Sequence, residues 1–214
     1  MKKDILASAS PSRLGNISAP RSSQLCRIWL SLRIGIDKKI DDEMELVLTS
    51  YRYRERELLE ELRELGKFCR TNFKDVIRGE VEDLDVFLGE LEKRNILSLS
   101  RVVPVVRSFQ FSPEKAVEEF CEVVKPFIKR IKKMESFCVK VERRGLKGSF
   151  SSKQVAEEVG TFIFATLKER DGLEPRVSLK DPDKAVAFET LGRWCGIGII
   201  SKEMRRKYFY LKLP

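Results

Sequence analysis

The chain contains no histidine. That excludes Ser-His-Asp and Cys-His catalysis, His-ligated zinc and the usual acid–base residue of neutral pH. Cysteine is sparse. Cys26, Cys69, Cys121, Cys138 and Cys195 are scattered and odd in number, with no C-x-x-C pair for a metal or a redox couple. They read as reduced, buried thiols of a cytoplasmic protein. No apolar run is long enough to span a bilayer. The N-terminus has lysines but no apolar stretch followed by a cleavage site, so neither a membrane span nor a secretory signal is expected.

What the chain has is charge. Of its 214 residues, 35% are charged, and the net charge is +9. Residues 137–214 hold 16 Lys/Arg against 10 Asp/Glu, so most of the excess lies there. A polyanionic partner fits that bias. The length suffices for one large or two small domains with cores of their own.

Residues 1–43 are rich in Ser, Lys and Arg and match nothing downstream. They are expected to be a peripheral or disordered extension, or not part of the native protein. From there the pattern becomes orderly. A strand is expected at Leu46–Thr49. Leu58, Leu59, Leu62 and Leu65 mark one face of a helix, and Gly66 ends it. Val76–Val81 reads as a strand, and Leu84, Val86, Phe87, Leu88 and Leu91 as a second helix. Val102–Phe111 reads as one further strand, with Pro104 favouring a sheet edge. This order fits a small ferredoxin-like α+β domain over 44–111.

Residues 112–214 form the second expected domain. Ser112-Pro113-Glu114 has the features of a capped helix start. Ala116, Phe120, Val124, Phe127, Ile128 and Ile131 line its apolar face, and Pro126 predicts a kink or a break. Phe137, Val139 and Val141 alternate with polar residues in a strand. Ser151 and Gln154 form a capping box for the next helix. Gly160 lies mid-helix, where a close helix–sheet contact is expected. Val177 and Leu179 read as a strand, Asp181-Pro182-Asp183 as a turn, and Val186–Thr190 as another strand. Gly192, Gly196 and Gly198 read as a turn or hairpin. Tyr208–Leu213 reads as a last strand.

Between Phe137 and Ala187 a strand, a basic Gly-containing loop and a helix start follow one another. Backbone N–H groups at the helix start add to the positive field, so a phosphate suits that place. Three pieces here, VERRG, FSSKQVAEEVG and RVSLKDPDKAV, resemble the core of a THUMP domain. The matching residues are Val141, Arg143, Arg144, Gly145, Phe150, Ser151, Ser152, Val159, Gly160, Val177, Leu179, Pro182 and Asp183. The resemblance implies an α/β RNA-binding module after the ferredoxin-like domain. It implies RNA contacts at Lys140, Arg143, Arg144, Lys147, Ser151, Ser152, Lys153, Lys180, Arg205 and Arg206.

From about Met44 to Pro214 the build is similar to the tRNA acetyltransferase adaptor family. That similarity implies a non-catalytic protein that binds tRNA, with the acceptor end as the expected contact. It implies an RNA cytidine acetyltransferase as partner, N4-acetylcytidine as product, and no cofactor or metal. The chain departs from related motifs after Gly145, where Leu146 and Lys147 stand in place of a frequent histidine. Two alternatives remain. One is an RNA-modifying enzyme carrying a THUMP domain, or a fragment of one without its catalytic domain; Asp181 and Asp183 are the paired acids to consider. The other is a scaffold whose basic surface meets an acidic protein.

Overall fold

A computed structural model describes residues 43–213, so the expectation for the first residues lies almost wholly outside the described ones. The described chain builds two sheets. The first contains β1 (Met44–Ser50), β2 (Lys67–Arg70), β3 (Val76–Val81) and β4 (Leu99–Val105), in the order β2-β3-β1-β4 and antiparallel throughout. Helix α1 (Glu55–Glu61) joins β1 to β2, and α2 (Leu84–Arg94) joins β3 to β4. Asp83 caps α2 by accepting the Val86 N–H at 2.8 Å, and Asn95 ends it in the left-handed conformation. Leu46 and Leu48 of β1 pack with Leu58, Leu62, Leu88 and Leu91.

The second sheet has the order β5-β9-β8-β6-β7. Its strands are β5 (Arg107–Gln110), β6 (Ser136–Arg144), β7 (Arg176–Val177), β8 (Lys184–Leu191) and β9 (Trp194–Ser201). Strand β6 runs parallel to β7 and β8, while β9 is antiparallel to β8 and β5. Helices α3 (Ala116–Ile128) and α4 (Ser152–Asp171) cover one face. There Phe120, Phe137, Val139, Ile163 and Phe188 form the core, and the Phe120 and Phe188 rings stack at 4.6 Å. A short helix, α5 (Lys202–Lys207), follows β9.

The open faces of the two sheets meet. Val47, Val76 and Val105 pack against Trp194. Strand β9 approaches β4 closely because it carries glycines there. A Cβ on Gly198 would lie 2.4 Å from the Pro104 carbonyl oxygen, and one on Gly196 would lie 2.8 Å from Val105. Pro104 sits on the sheet-edge strand, where its missing N–H costs no ladder bond.

Several expectations need correction. The stretch Val102–Phe111 is not one strand: the chain leaves the first sheet after Val105 and pairs in the second from Arg107. Strand β2, with only Phe68 and Cys69 as apolar residues, was not expected. Pro126 does not break its helix, which continues to Ile128. Ser112 makes no side-chain cap; its N–H instead donates to Glu119 at 3.0 Å. Leu179 lies outside the two-residue β7. Gly192 turns the β8–β9 hairpin, but Gly196 and Gly198 are strand residues. The expected strand at Tyr208–Leu213 is irregular; Tyr208, Tyr210 and Leu211 enter the first core, and the Val102 N–H donates to the Tyr210 carbonyl at 2.9 Å. A Cβ at Gly160 would meet only Val139, at 3.9 Å, so no close contact demands that glycine.

Candidate nucleic-acid interface

Strand β6 ends at Arg144 and Gly145 takes a φ of 82°, which turns the chain out of the sheet. A side chain at Gly145 would come within 3.0 Å of the Phe73 ring and 3.4 Å of Gly192, so three segments converge there. Leu146 and Gly148 also have positive φ, at 49° and 84°. The loop then enters α4, whose N-cap Ser151 accepts the Gln154 N–H at 3.3 Å as expected.

Neighbouring residues of a strand point to opposite faces, and this divides Arg143 from Arg144. Arg143 lies over the loop, half-buried. It donates to the Gly145 carbonyl at 2.9 Å and sits 5.9 Å from the Phe150 ring. A guanidinium has five N–H donors, so several remain for a phosphate. Lys147 is exposed at the loop tip. Lys153 is 84% exposed and pairs loosely with Glu157 at 3.8 Å, a contact of little strength in water. Ser152 is half-buried in the first turn of α4.

Arg144 turns inward. Its guanidinium pairs with Glu189 of β8 and donates to Thr49 of β1 at 3.1 Å. Its side chain is 13% exposed. Arg101 of β4 donates to the same Glu189 carboxylate at 2.9 Å. Glu189 is wholly buried. Burial pushes its carboxyl above the ordinary range, and the two guanidiniums oppose that shift. Arg144 and Arg101 thus join the sheets rather than face solvent.

The remaining expected contacts do not gather with these. Asp183 accepts the Ser136 N–H at 2.8 Å and its hydroxyl at 2.7 Å, which places 181–183 at the start of β6. The Lys202 N–H donates to the Asp183 carbonyl, so α5 begins at that same end. Lys180, Arg205 and Arg206 are therefore at the opposite end of β6, whose rise from Ser136 to Arg143 is about 23 Å. Arg205 is largely buried there against Asp181 and the Pro182 carbonyl, while Lys180 and Arg206 are exposed. Lys140 lies mid-strand, half-buried. The sequence thus suggested one patch where the fold makes two ends.

Residues 114–200 match the family model described as the THUMP domain. Residues 114–200 are a THUMP domain. The domain accounts for the second sheet from α3 to β9 and contains the Arg143–Lys153 loop. Two solved structures resemble the chain more broadly. TrmN from Thermus thermophilus has a TM-score of 0.53 at 22% identity, over 73% of this chain and 45% of that one. PH1313 from Pyrococcus horikoshii Ot3 has a TM-score of 0.50 at 14% identity, over 73% and 54%. At these identities the likeness is one of fold. The chain spans about half the length of these relatives. No curated protein matches the chain.

Sequence reasoning missed residues that the fold brings beside the THUMP loop. Phe73 carries Lys74 with it, and the Asp75 carboxylate accepts the Tyr53 N–H at 2.9 Å. Arg193 is exposed in the hairpin turn next to Gly192. The usable signal was YRYR at 51–54, aromatic and basic residues alternating just past a strand end.

Among the described residues, no helix is long and apolar enough to cross a membrane, and no group of acids and cysteines is arranged to hold a metal ion.

Proposed function

We propose that this chain is a non-catalytic, cytoplasmic tRNA-binding protein that presents tRNA to a modifying enzyme. The observation that carries the reading is the loop at the end of β6. It sets Arg143, Lys147 and Lys153 around the N-terminus of a 20-residue helix inside a THUMP domain. Side-chain cations and helix N–H groups there suit the phosphates of a tRNA acceptor end. Arg144 acts in this reading by holding the sheets together, not by touching RNA.

The βαββαβ element order and the β2-β3-β1-β4 strand order support reading the first sheet as the ferredoxin-like domain. The adaptor family then supplies the partner, an RNA cytidine acetyltransferase, and N4-acetylcytidine as the product. Asp181 and Asp183, the acids weighed for catalysis, favour the non-catalytic reading. Asp181 pairs with Lys202 and Arg205, and Asp183 is bound to Ser136, so both brace a turn.

A second reading makes the chain the RNA-binding part of an RNA-modifying enzyme whose catalytic domain lies elsewhere. The half-length match to TrmN and PH1313 favours it. One experiment separates the two. Purified chain is given tRNA, with and without a cytidine acetyltransferase and its acetyl donor, and the RNA nucleosides are analysed. The first reading predicts acetylcytidine only when both proteins are present. Acetylation independent of this chain, or a modification made by this chain alone, would overturn it.

A further inference from the structure

Among the described residues, three aromatic side chains stand well exposed: Tyr51, Tyr53 and Phe209. Phe209 carries Lys212 over its ring at 4.0 Å, and its N–H donates to Glu92 of α2 at 2.6 Å, which ties it to α2 rather than to the Arg143–Lys147 loop. Tyr53 is different. The residue is 71% exposed, so its ring buries little apolar surface on folding. Its backbone is strained, with φ at 66° for a bulky residue. Asp75, itself at φ 60°, holds that conformation through the Tyr53 N–H, and the Asp75 carbonyl also accepts the Ser50 N–H at 2.9 Å.

Two cations flank the ring. Lys74 Nζ lies 3.6 Å from the ring centroid, and the Arg52 guanidinium lies 5.0 Å away. Phe73, one residue before Lys74, packs against Gly145, so this cluster adjoins the Arg143–Lys147 loop. An exposed aromatic with cations at its face, beside a phosphate-binding loop, has the makeup of a single-strand binding platform.

We propose that Tyr53 is a stacking platform for an unpaired nucleobase of the bound RNA, with Arg52 and Lys74 holding the phosphates on either side. The inference rests on the RNA-binding reading above and extends it to the first sheet. The base would displace the Lys74 ammonium from the ring, a contact of modest strength at an exposed site. Stacking tolerates any base, so the platform selects single-stranded RNA without reading its sequence.

The test uses the full chain and two RNA hairpins. One has a four-nucleotide single-stranded 3′ tail bearing 2-aminopurine; the other is blunt. Wild type is expected to bind the tailed RNA more tightly and to change its 2-aminopurine fluorescence. Tyr53→Ala is expected to lose about 5- to 150-fold in affinity for the tailed RNA, the range for one stacked base. Binding of the blunt RNA should not change. Tyr53→Phe should keep the affinity and the fluorescence change. Tyr53→Gly, which relieves the positive φ, should lose both while folding normally. Wild-type binding by Tyr53→Ala and Tyr53→Gly, with binding lost in an Arg143→Ala/Lys147→Ala variant, would overturn the platform and leave the RNA reading standing. Failure of wild type to bind either RNA would overturn both.

Discussion

Arg101 of the first sheet donates to Glu189 of the second at 2.9 Å, across the face where the sheets meet. Arg144 approaches the same carboxylate from β6, so one buried acid pairs with two guanidiniums. Removing one partner of such a group leaves buried charge uncompensated. Glu189→Ala should therefore destabilise the chain by about 3–5 kcal/mol, read from urea unfolding. A loss under 1 kcal/mol would show that the sheets do not depend on this carboxylate.

The same interface leaves no room for a side chain at Gly196 or Gly198 of β9. A Cβ at Gly198 would strike the Pro104 carbonyl, which is backbone and cannot swing aside. Gly198→Ala should cost about 1–3 kcal/mol, the usual range for overpacking. Wild-type stability in that variant would mean the strands separate freely.

Gly160 offers the opposite outcome. A Cβ there meets Val139 at ordinary contact distance, within a long helix. Gly160→Ala should stabilise the chain by up to about 1 kcal/mol through helix propensity. Destabilisation would restore the close contact that the sequence suggested.

Asp183 sets an acid dependence. Its bonds from the Ser136 hydroxyl and N–H hold its carboxyl below the ordinary aspartate range. A lowered native value means the folded state resists protonation more than the unfolded chain does. The stability this group provides is present above the unfolded value of about 3.9 and is lost as pH falls through the lowered native value. Thermal unfolding of wild type and Asp183→Asn should therefore differ most above pH 4–5 and converge in stronger acid. A difference independent of pH would rule out this linkage.

Much of the architecture was legible because its periodicities are clean. Val76–Val81 and the helix after Ser151 were both legible, the helix from its cap chemistry. Strand β2 escaped because KFCR is a short edge strand with little apolar content. The split at Val106 escaped because both halves alternate in the same way. For the site, the loop and its cations were legible, yet Arg143 and Arg144 were treated alike. Their opposite directions follow from strand geometry, but the destination of Arg144 depends on Glu189, 45 residues later, and on a sheet contact that no local pattern encodes. Lys180, Arg205 and Arg206 were grouped with the loop because they are basic, whereas the strand connections carry them to its far end. Tyr53 was given no role from the sequence.

The division between Arg143 and Arg144 is the central claim, and tRNA affinity across a salt series tests it most directly. Arg143→Ala/Lys147→Ala should keep the wild-type melting temperature, bind tRNA more weakly, and lower the salt slope by about two. Arg144→Ala should lower the melting temperature yet, measured well below it, retain the wild-type salt slope. A full salt slope in the double variant, or a reduced one in Arg144→Ala, would contradict the account.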